Sequence, residues 1–173
     1  MSQLSYWEQL EELGLYSLQR RRERYIVIYV WKILEGFVPN IATGEASLTD
    51  KWHQRRGREC SVPNVKPSAT VRIQNIHRAS FAINGPRIFN SLPQSIRNIT
   101  KCDLTVFKTQ LDRFLRRVPD QPLIPGYTAI RQCDTNSLID WLGNAQLQSQ
   151  LEDSVRQSDV ADAAAAIPGD HGQ

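Results

Sequence analysis

Apolar positions fall into a few periodic blocks separated by polar, proline-containing stretches. The first strong block is LQRRRERYIVIYVWKILEG, starting at Leu18, with Val27, Val30, Trp31 and Leu34 on one stripe. Ile26, Ile33 and Phe37 make an adjacent stripe. Ser17 before the block, and Gly36 and Pro39 after it, are start and stop signals, which predict a helix of about five turns. A helix this apolar over two turns is expected to be buried from more than one side. The β-branched Ile26, Val27, Ile28 and Val30 pull towards a strand, but the length and the caps favour the helix. Ahead of it, Ser5 and Glu8 fit a capping box, predicting a short helix from Tyr6 to Leu13 that ends at Gly14.

The chain is organised around a second block, SFAINGPRIFNSLPQSIRN, residues 80–98. Alternation of Phe81 and Ile83 with Ser80 and Ala82 predicts a strand. Asn84-Gly85 then predicts a turn, and Pro86 opens a short helix carrying Ile88, Phe89 and Leu92. Pro93 biases Leu92 towards extended backbone and opens a second helical turn with Ile96. The six apolar anchors Phe81, Ile83, Ile88, Phe89, Leu92 and Ile96 read as a packing nucleus with Arg87 and Arg97 among them. Val71 and Ile73 suggest another short strand, paired with Phe81–Ile83 in a hairpin. A third block follows Asp103, a plausible cap. Leu104, Phe107, Leu111, Phe114, Leu115 and Val118 recur at helical spacing, and Asp112 and Arg116 stand at i, i+4.

Residues 40–70 lack clear periodicity; Val62-Pro63 and Lys66-Pro67 suggest an extended path at a sheet edge. Prolines 119, 122 and 125 predict an extended connector over 119–134. Leu138, Ile139, Leu142, Leu147 and Leu151 predict an acidic helix over 135–156, interrupted at Gly143, and the small, acidic residues 157–173 predict a disordered tail. The expected fold class is α+β and helix-dominated, with one long apolar helix, amphipathic helices, one or two short β-hairpins and a disordered C-terminal tail. Residues 1–118 form its small basic domain.

Composition changes this picture little. A chain of 173 residues with 40% hydrophobic content fits roughly one domain with exposed segments. The longest apolar run, Tyr25 to Trp31, is far short of the roughly 20 residues of a membrane span, so no membrane partner is expected. The N-terminal MSQLSYWEQLEEL carries no signal-like segment, which predicts an intracellular location, nuclear or cytoplasmic. Cys60, Cys102 and Cys133 are widely spaced and pair with no histidine at metal-binding intervals. No metal or other cofactor is expected.

Charge changes it more. Residues 1–18 carry net −3, residues 19–118 net +12 and residues 119–173 net −6. The basic middle holds 14 arginines and five lysines, and guanidinium suits bidentate phosphate contact and base stacking. A polyanion partner, RNA or DNA bound through its phosphates, is the expectation. Pairing with an acidic protein, or with the chain's own acidic ends, is the alternative. Arg20, Arg21, Arg22 and Arg24 crowd a helix start, where positive charge opposes the helix dipole, so phosphate contact or a solvated face must account for them. Lys51, Arg55, Arg56 and Arg58 surround Trp52, a combination that suits single strands, with cations on phosphates and the ring on a base. A Trp52 packed on the core beneath solvated arginines would look the same. Arg87 and Arg97 are secondary candidates. No phosphate-binding glycine loop, nucleophile-elbow serine, H-E-x-x-H or paired aspartates is present, so no catalytic residue is expected and the chain reads as a non-enzyme.

Four stretches carry a resemblance: LGLYSLQRRRERYIVIYVWKILEGFVPN, GRECSVP, SFAINGPRIFNSLPQSIRN and VFKTQLDRFLRRVPDQPLIPGY, in this order. Together they resemble the region that follows the polymerase domain in non-LTR retrotransposon reverse transcriptases of invertebrate animals, of the jockey-like and chicken-repeat-like type. The similarity spans roughly Leu13 to Asn144. It implies the trailing part of a protein that also has an endonuclease and an RNA-directed DNA polymerase. The polymerase domain of the same element would then be a partner. The catalytic aspartates of that family belong upstream and match nothing in this chain. The chain therefore reads as a fragment serving as a nucleic-acid-binding accessory region. A structural module that docks its apolar helix Leu18–Glu35 on the polymerase body, or a non-functional remnant, is the alternative.

Overall fold

The Ser17 hydroxyl accepts from the Arg20 amide and opens a helix over Leu18–Leu34 (α2). A shorter helix precedes it over Tyr6–Glu12 (α1), started by the expected box: the Ser5 amide donates to Glu8 Oε2 at 2.6 Å and the Glu8 amide to Ser5 Oγ at 3.4 Å. Gly14 and Gly36, at φ +62° and +77°, reverse the chain after each helix, as L side chains rarely can. The computed structural model describes residues 5–39, 48, 50–64, 70–122 and 136–143. Among these, no helix is long and apolar enough to cross a membrane.

Burial overrides the strand preference of the β-branched run in α2. Val27, Ile28, Val30 and Trp31 are all buried, so the hydrophobic gain outweighs a weak intrinsic preference. They face two partners, as expected of a helix apolar on more than one side. One is a helix over Phe81–Ser91 (α4), the other a helix over Leu104–Leu115 (α6). Trp31 sits at the centre, its indole stacked on Phe107 with centroids 4.5 Å apart and its Nε1 donating to the Ile99 carbonyl at 2.8 Å. The Asp103 carboxylate caps α6 by accepting from the Thr105 amide, and Phe107, Leu111, Phe114, Leu115 and Val118 are buried as their spacing predicts.

The central block corrects its expectation. Phe81 and Ile83 do not form a strand, and Asn84-Gly85 is not a turn; all lie in α4, with Pro86 inside it. Two alternating apolar residues are too few to separate a period of 2 from one of 3.6. In the helix Ile83, Pro86 and Phe89 recur at every third position, and all three are buried. Pro86 lacks the amide that would bond the Ala82 carbonyl, and the buried face offsets that loss. Gly85 lets α4 approach α2: a Cβ there would meet Val30 Cγ2 at 3.2 Å and the Phe81 ring at 3.3 Å. Leu92 is extended before Pro93 as expected, and a short helix over Gln94–Arg97 (α5) follows. Val71 and Ile73 are likewise helical, in Val71–Ala79 (α3), where no residue is buried.

The β-hairpin lies in the stretch without periodicity. Strands Asp50–His53 (β1) and Gly57–Cys60 (β2) pair antiparallel in the register Asp50↔Cys60 to His53↔Gly57. Every residue of β1 is exposed, so there is no alternation to read. A three-residue connection ends at Gly57 in the left-handed region, φ +70°. The far edge of β2 is closed by side chains instead of a third strand. The Asn90 amide both accepts from the Cys60 N–H and donates to the Cys60 carbonyl, at 2.8 and 2.9 Å. Asn98 Oδ1 accepts from the Arg58 amide at 2.9 Å. Finally, Ser137 caps a short helix over Leu138–Leu142 (α7), whose Leu138, Trp141 and Leu142 are buried. The rest of the expected acidic helix, most of the connector and the whole tail lie outside the described residues.

The capping box makes α1 sensitive to acid. Hydrogen bonds from Ser5 hold the Glu8 carboxyl below the usual glutamate range. A depressed folded-state pKa gives stability that is full above the ordinary value and lost as pH falls through the depressed one. Helix α1 is therefore expected to fray in acid before the core unfolds. Residue-resolved amide exchange at Gln9 and Leu10 between neutral and acidic pH checks this, and unchanged protection would refute it.

Candidate nucleic-acid interface

Four arginines of the basic middle are held by the fold. Arg20 is fully buried, and its Nη2 donates to the carbonyls of Pro119 and Asn136 at 2.8 and 3.3 Å. Asp120 lies 3.7 Å from its Nε. Burial pulls this guanidinium below the ordinary arginine value, opposed by Asp120 and Glu23. One turn on, Glu23 is buried and accepts from the Ser137 hydroxyl and the Leu138 amide, tying α7 to α2 at 2.7 and 2.9 Å. Burial raises its carboxyl despite those bonds. Arg24 makes a bidentate pair with Asp112 of α6, at 2.5 and 2.7 Å. Asp112 therefore reaches across to α2, and the pair expected with Arg116 along α6 gives way to it.

Arg58 and Arg97 fix the hairpin. Arg58 is 3% exposed and bridges Asp50, across the hairpin, to Glu35 at the end of α2. Arg97 is 6% exposed and donates to three carbonyls: Leu92 at 2.8 Å, Arg58 at 2.5 Å and Arg56 at 2.7 Å. Of the sequence candidates, Arg20, Arg58 and Arg97 are thus interior groups and Arg24 a half-buried one. Their geometry is that of structural ion pairs and carbonyl clamps, with little guanidinium surface left for a phosphate.

The other candidates remain on the surface. Lys51, Trp52, Arg55 and Arg56 are exposed on β1 and the hairpin tip, and Trp52 does not pack on the core. The tip is held from beneath, because Gln94 Nε2 donates to the Arg55 carbonyl at 2.7 Å and Arg97 holds that of Arg56. Arg87 is exposed on α4. Arg21 and Arg22 are exposed on the first turn of α2, with Arg21 Nε donating to the Tyr16 carbonyl at 2.8 Å. Since Glu35, at the end of α2, holds Arg58, the two exposed groups lie towards opposite ends of this helix. Its 17 residues make it about 25 Å long.

The acids explain why the surface stays basic. Every described carboxylate between residues 19 and 118 is engaged within the fold. Glu23 holds α7, Glu35 and Asp50 hold Arg58, Asp112 holds Arg24, and Asp103 caps α6. Glu59 lies 3.5 Å from Arg97. These contacts leave the exposed Lys51, Arg21, Arg22, Arg55, Arg56 and Arg87 in no ion pair among the described residues.

A second basic group was missed. A cleft of about 810 Å³ opens between α1, the start of α2 and the end of α6, with Trp7, Tyr16, Arg21, Tyr25, Arg116 and Arg117 in its walls. Arg116 and Arg117 read in sequence as cations that complement the α6 dipole, which hides any other role. Trp7 and Tyr25 fall within helix patterns and Tyr16 in the link between them, so none carries a local sign of a site. Only the fold brings them together.

The described cysteines are free, and burial pushes the Cys60 thiol up to about 12, so it stays protonated at neutral pH. No family model, no curated protein and no solved structure matches the chain.

Proposed function

We propose that this chain is a non-catalytic nucleic-acid-binding accessory region, akin to the segment that trails the polymerase in non-LTR retrotransposon reverse transcriptases. It binds RNA or DNA through phosphates. The observation that carries this reading is that each described acid in residues 19–118 is engaged by a group of the fold, while Lys51, Arg55, Arg56, Arg21, Arg22 and Arg87 stay exposed and outside those pairs. The four resembling stretches lie on α2, β2, α4–α5 and α6.

The test is fluorescence anisotropy of labelled RNA across a salt series. Affinity should fall linearly on a log–log plot, with a slope of about −0.7 per neutralised phosphate on a single strand. The triple variant Lys51→Ala, Arg55→Ala, Arg56→Ala should flatten that slope by about 2 without changing stability. Salt-independent or absent binding would refute the proposal.

A second reading, docking on the polymerase body of the same element, has support from a different surface than the sequence suggested. The apolar face of α2 is already covered by α4 and α6. Helix α3 instead turns Val71, Ile73 and Ile76 outward, 73%, 45% and 60% exposed. Binding of a hydrophobic dye, abolished by Val71→Ser with Ile76→Ser, would favour docking there.

A further inference from the structure

The α1–α2–α6 cleft has the chemistry of a pocket for one unpaired nucleotide. Its volume of about 810 Å³ lies in the range of small-ligand sites. Tyr16 forms its half-buried floor, and its hydroxyl donates to the Asp112 carbonyl at 3.3 Å. Burial raises the Tyr16 phenol, so it stays protonated. Two guanidinium groups touch this residue. Arg21 is pinned through Nε to the Tyr16 carbonyl, which directs its remaining N–H groups elsewhere. Arg116 lies beside the Tyr16 hydroxyl.

The carboxylates facing the same space are mostly occupied. Both oxygens of Asp112 take Arg24. Those of Asp120 take the Ser17 amide and hydroxyl and the Asn136 amide. Glu11, exposed on α1, is the remaining acid of the lining. Aromatic rings complete the walls. Tyr25 is 66% exposed, with the Arg24 guanidinium 5.7 Å from its ring centroid. Trp7 is half-buried and meets Tyr6 edge-on. Cations beside aromatic faces suit phosphate contact with base stacking, and bases offer their faces only where a strand is unpaired.

We propose that this cleft binds a single-stranded nucleotide unit, its phosphate held by Arg21 and Arg116 and its base stacked on Trp7 or Tyr25. This rests on the nucleic-acid-binding reading above and adds a preference for single strands. The hairpin, with Trp52 exposed beside its cations, also suits single strands, so substitutions in the cleft, rather than the parent's preference alone, separate the two.

The experiment compares a labelled single-stranded oligonucleotide of about 12 residues, a length within the usual site size, with its duplex at equal salt. The full chain should bind the single strand at least about tenfold tighter. The pair Arg21→Ala and Arg116→Ala should lose about tenfold on the single strand and much less on the duplex. Trp7→Leu keeps the cations and should lose about fivefold on the single strand alone. In a Trp52→Phe background, where the remaining Trp31 and Trp141 are buried, the single strand should quench emission, and Trp7→Leu in that background should remove the quenching. Circular dichroism of each variant should match the parent. Equal affinity for both forms, with unaffected cleft variants, overturns the cleft and leaves the phosphate-binding reading in place. Absence of salt-dependent binding to either form overturns both.

Discussion

Replacing Trp31 by alanine is expected to cost about 3–5 kcal/mol of stability, the usual range for deleting a buried tryptophan. Three losses combine. The indole is fully buried, so its removal opens a cavity between α2 and α6. It stacks nearly parallel on Phe107, at an interplanar angle of 8°, and on Phe37 with centroids 5.7 Å apart. Its Nε1–H also satisfies the Ile99 carbonyl in the link between α5 and α6, and that carbonyl would lose its donor. Natural domains hold only about 5–15 kcal/mol in total, so the variant should be largely unfolded or close to it. Urea denaturation measures this, with Trp31→Phe as control. The control keeps most of the aromatic contact and loses only the hydrogen bond and part of the volume, so it should fall between parent and alanine variant. A midpoint for Trp31→Ala within about 1 kcal/mol of the parent would mean that Trp31 does not join the helices.

That central tryptophan lies in the part of the fold most legible from sequence. The α2 and α6 stripes are long enough to show a helical period, and their caps are local, so Ser17, Gly36 and Asp103 mark their ends correctly. The block at 80–98 reads largely correctly as a nucleus: of its six anchors Ile83, Ile88, Phe89, Leu92 and Ile96 are buried, and Phe81 is half-buried. Its secondary structure reads wrongly because Pro86 and Asn84-Gly85 are local turn signals that tertiary burial overrules. The hairpin was illegible for another reason. Its order comes from Asn90, Asn98 and Arg97, which bond its backbone from 30 to 41 positions away. Residues polar in composition are structural there, and composition cannot say so.

The same limit governed the site. A run such as QRRRER fixes the number of cations, but not which acid each will find. Asp112 and Asp120, far along the chain, take Arg24 and approach Arg20, so half of the expected basic cluster turns inward. Arg21 and Arg22 remain exposed, Arg21 in the wall of the cleft that Arg24 also lines. The cleft with Arg116 depends on α1 lying across from the end of α6, a relation that no local pattern encodes.

Arg97→Ala tests whether an arginine from the basic middle acts on the backbone or on a ligand. Its guanidinium donates to the carbonyls of Leu92, Arg58 and Arg56, two of them on β2 and the hairpin turn. Removing it leaves these carbonyls without that donor, in a place only 6% exposed. The expected cost is on the order of 3 kcal/mol, since each buried polar group left unpaired costs about 1–3 kcal/mol and water will reach some of them. Arg97→Lys should recover only a minor part, because an ammonium lacks the planar fork that reaches three acceptors at once. Hydrogen exchange should accelerate first at the Arg58 and Cys60 amides, which face α4 and α5 across the loosened hairpin. The salt slope of RNA binding should stay unchanged in the folded fraction, because Arg97 contributes no phosphate contact. A variant of unchanged stability whose slope drops by about 0.7 would reverse the assignment, making Arg97 a surface contact and leaving the hairpin to be held by Asn90 and Asn98.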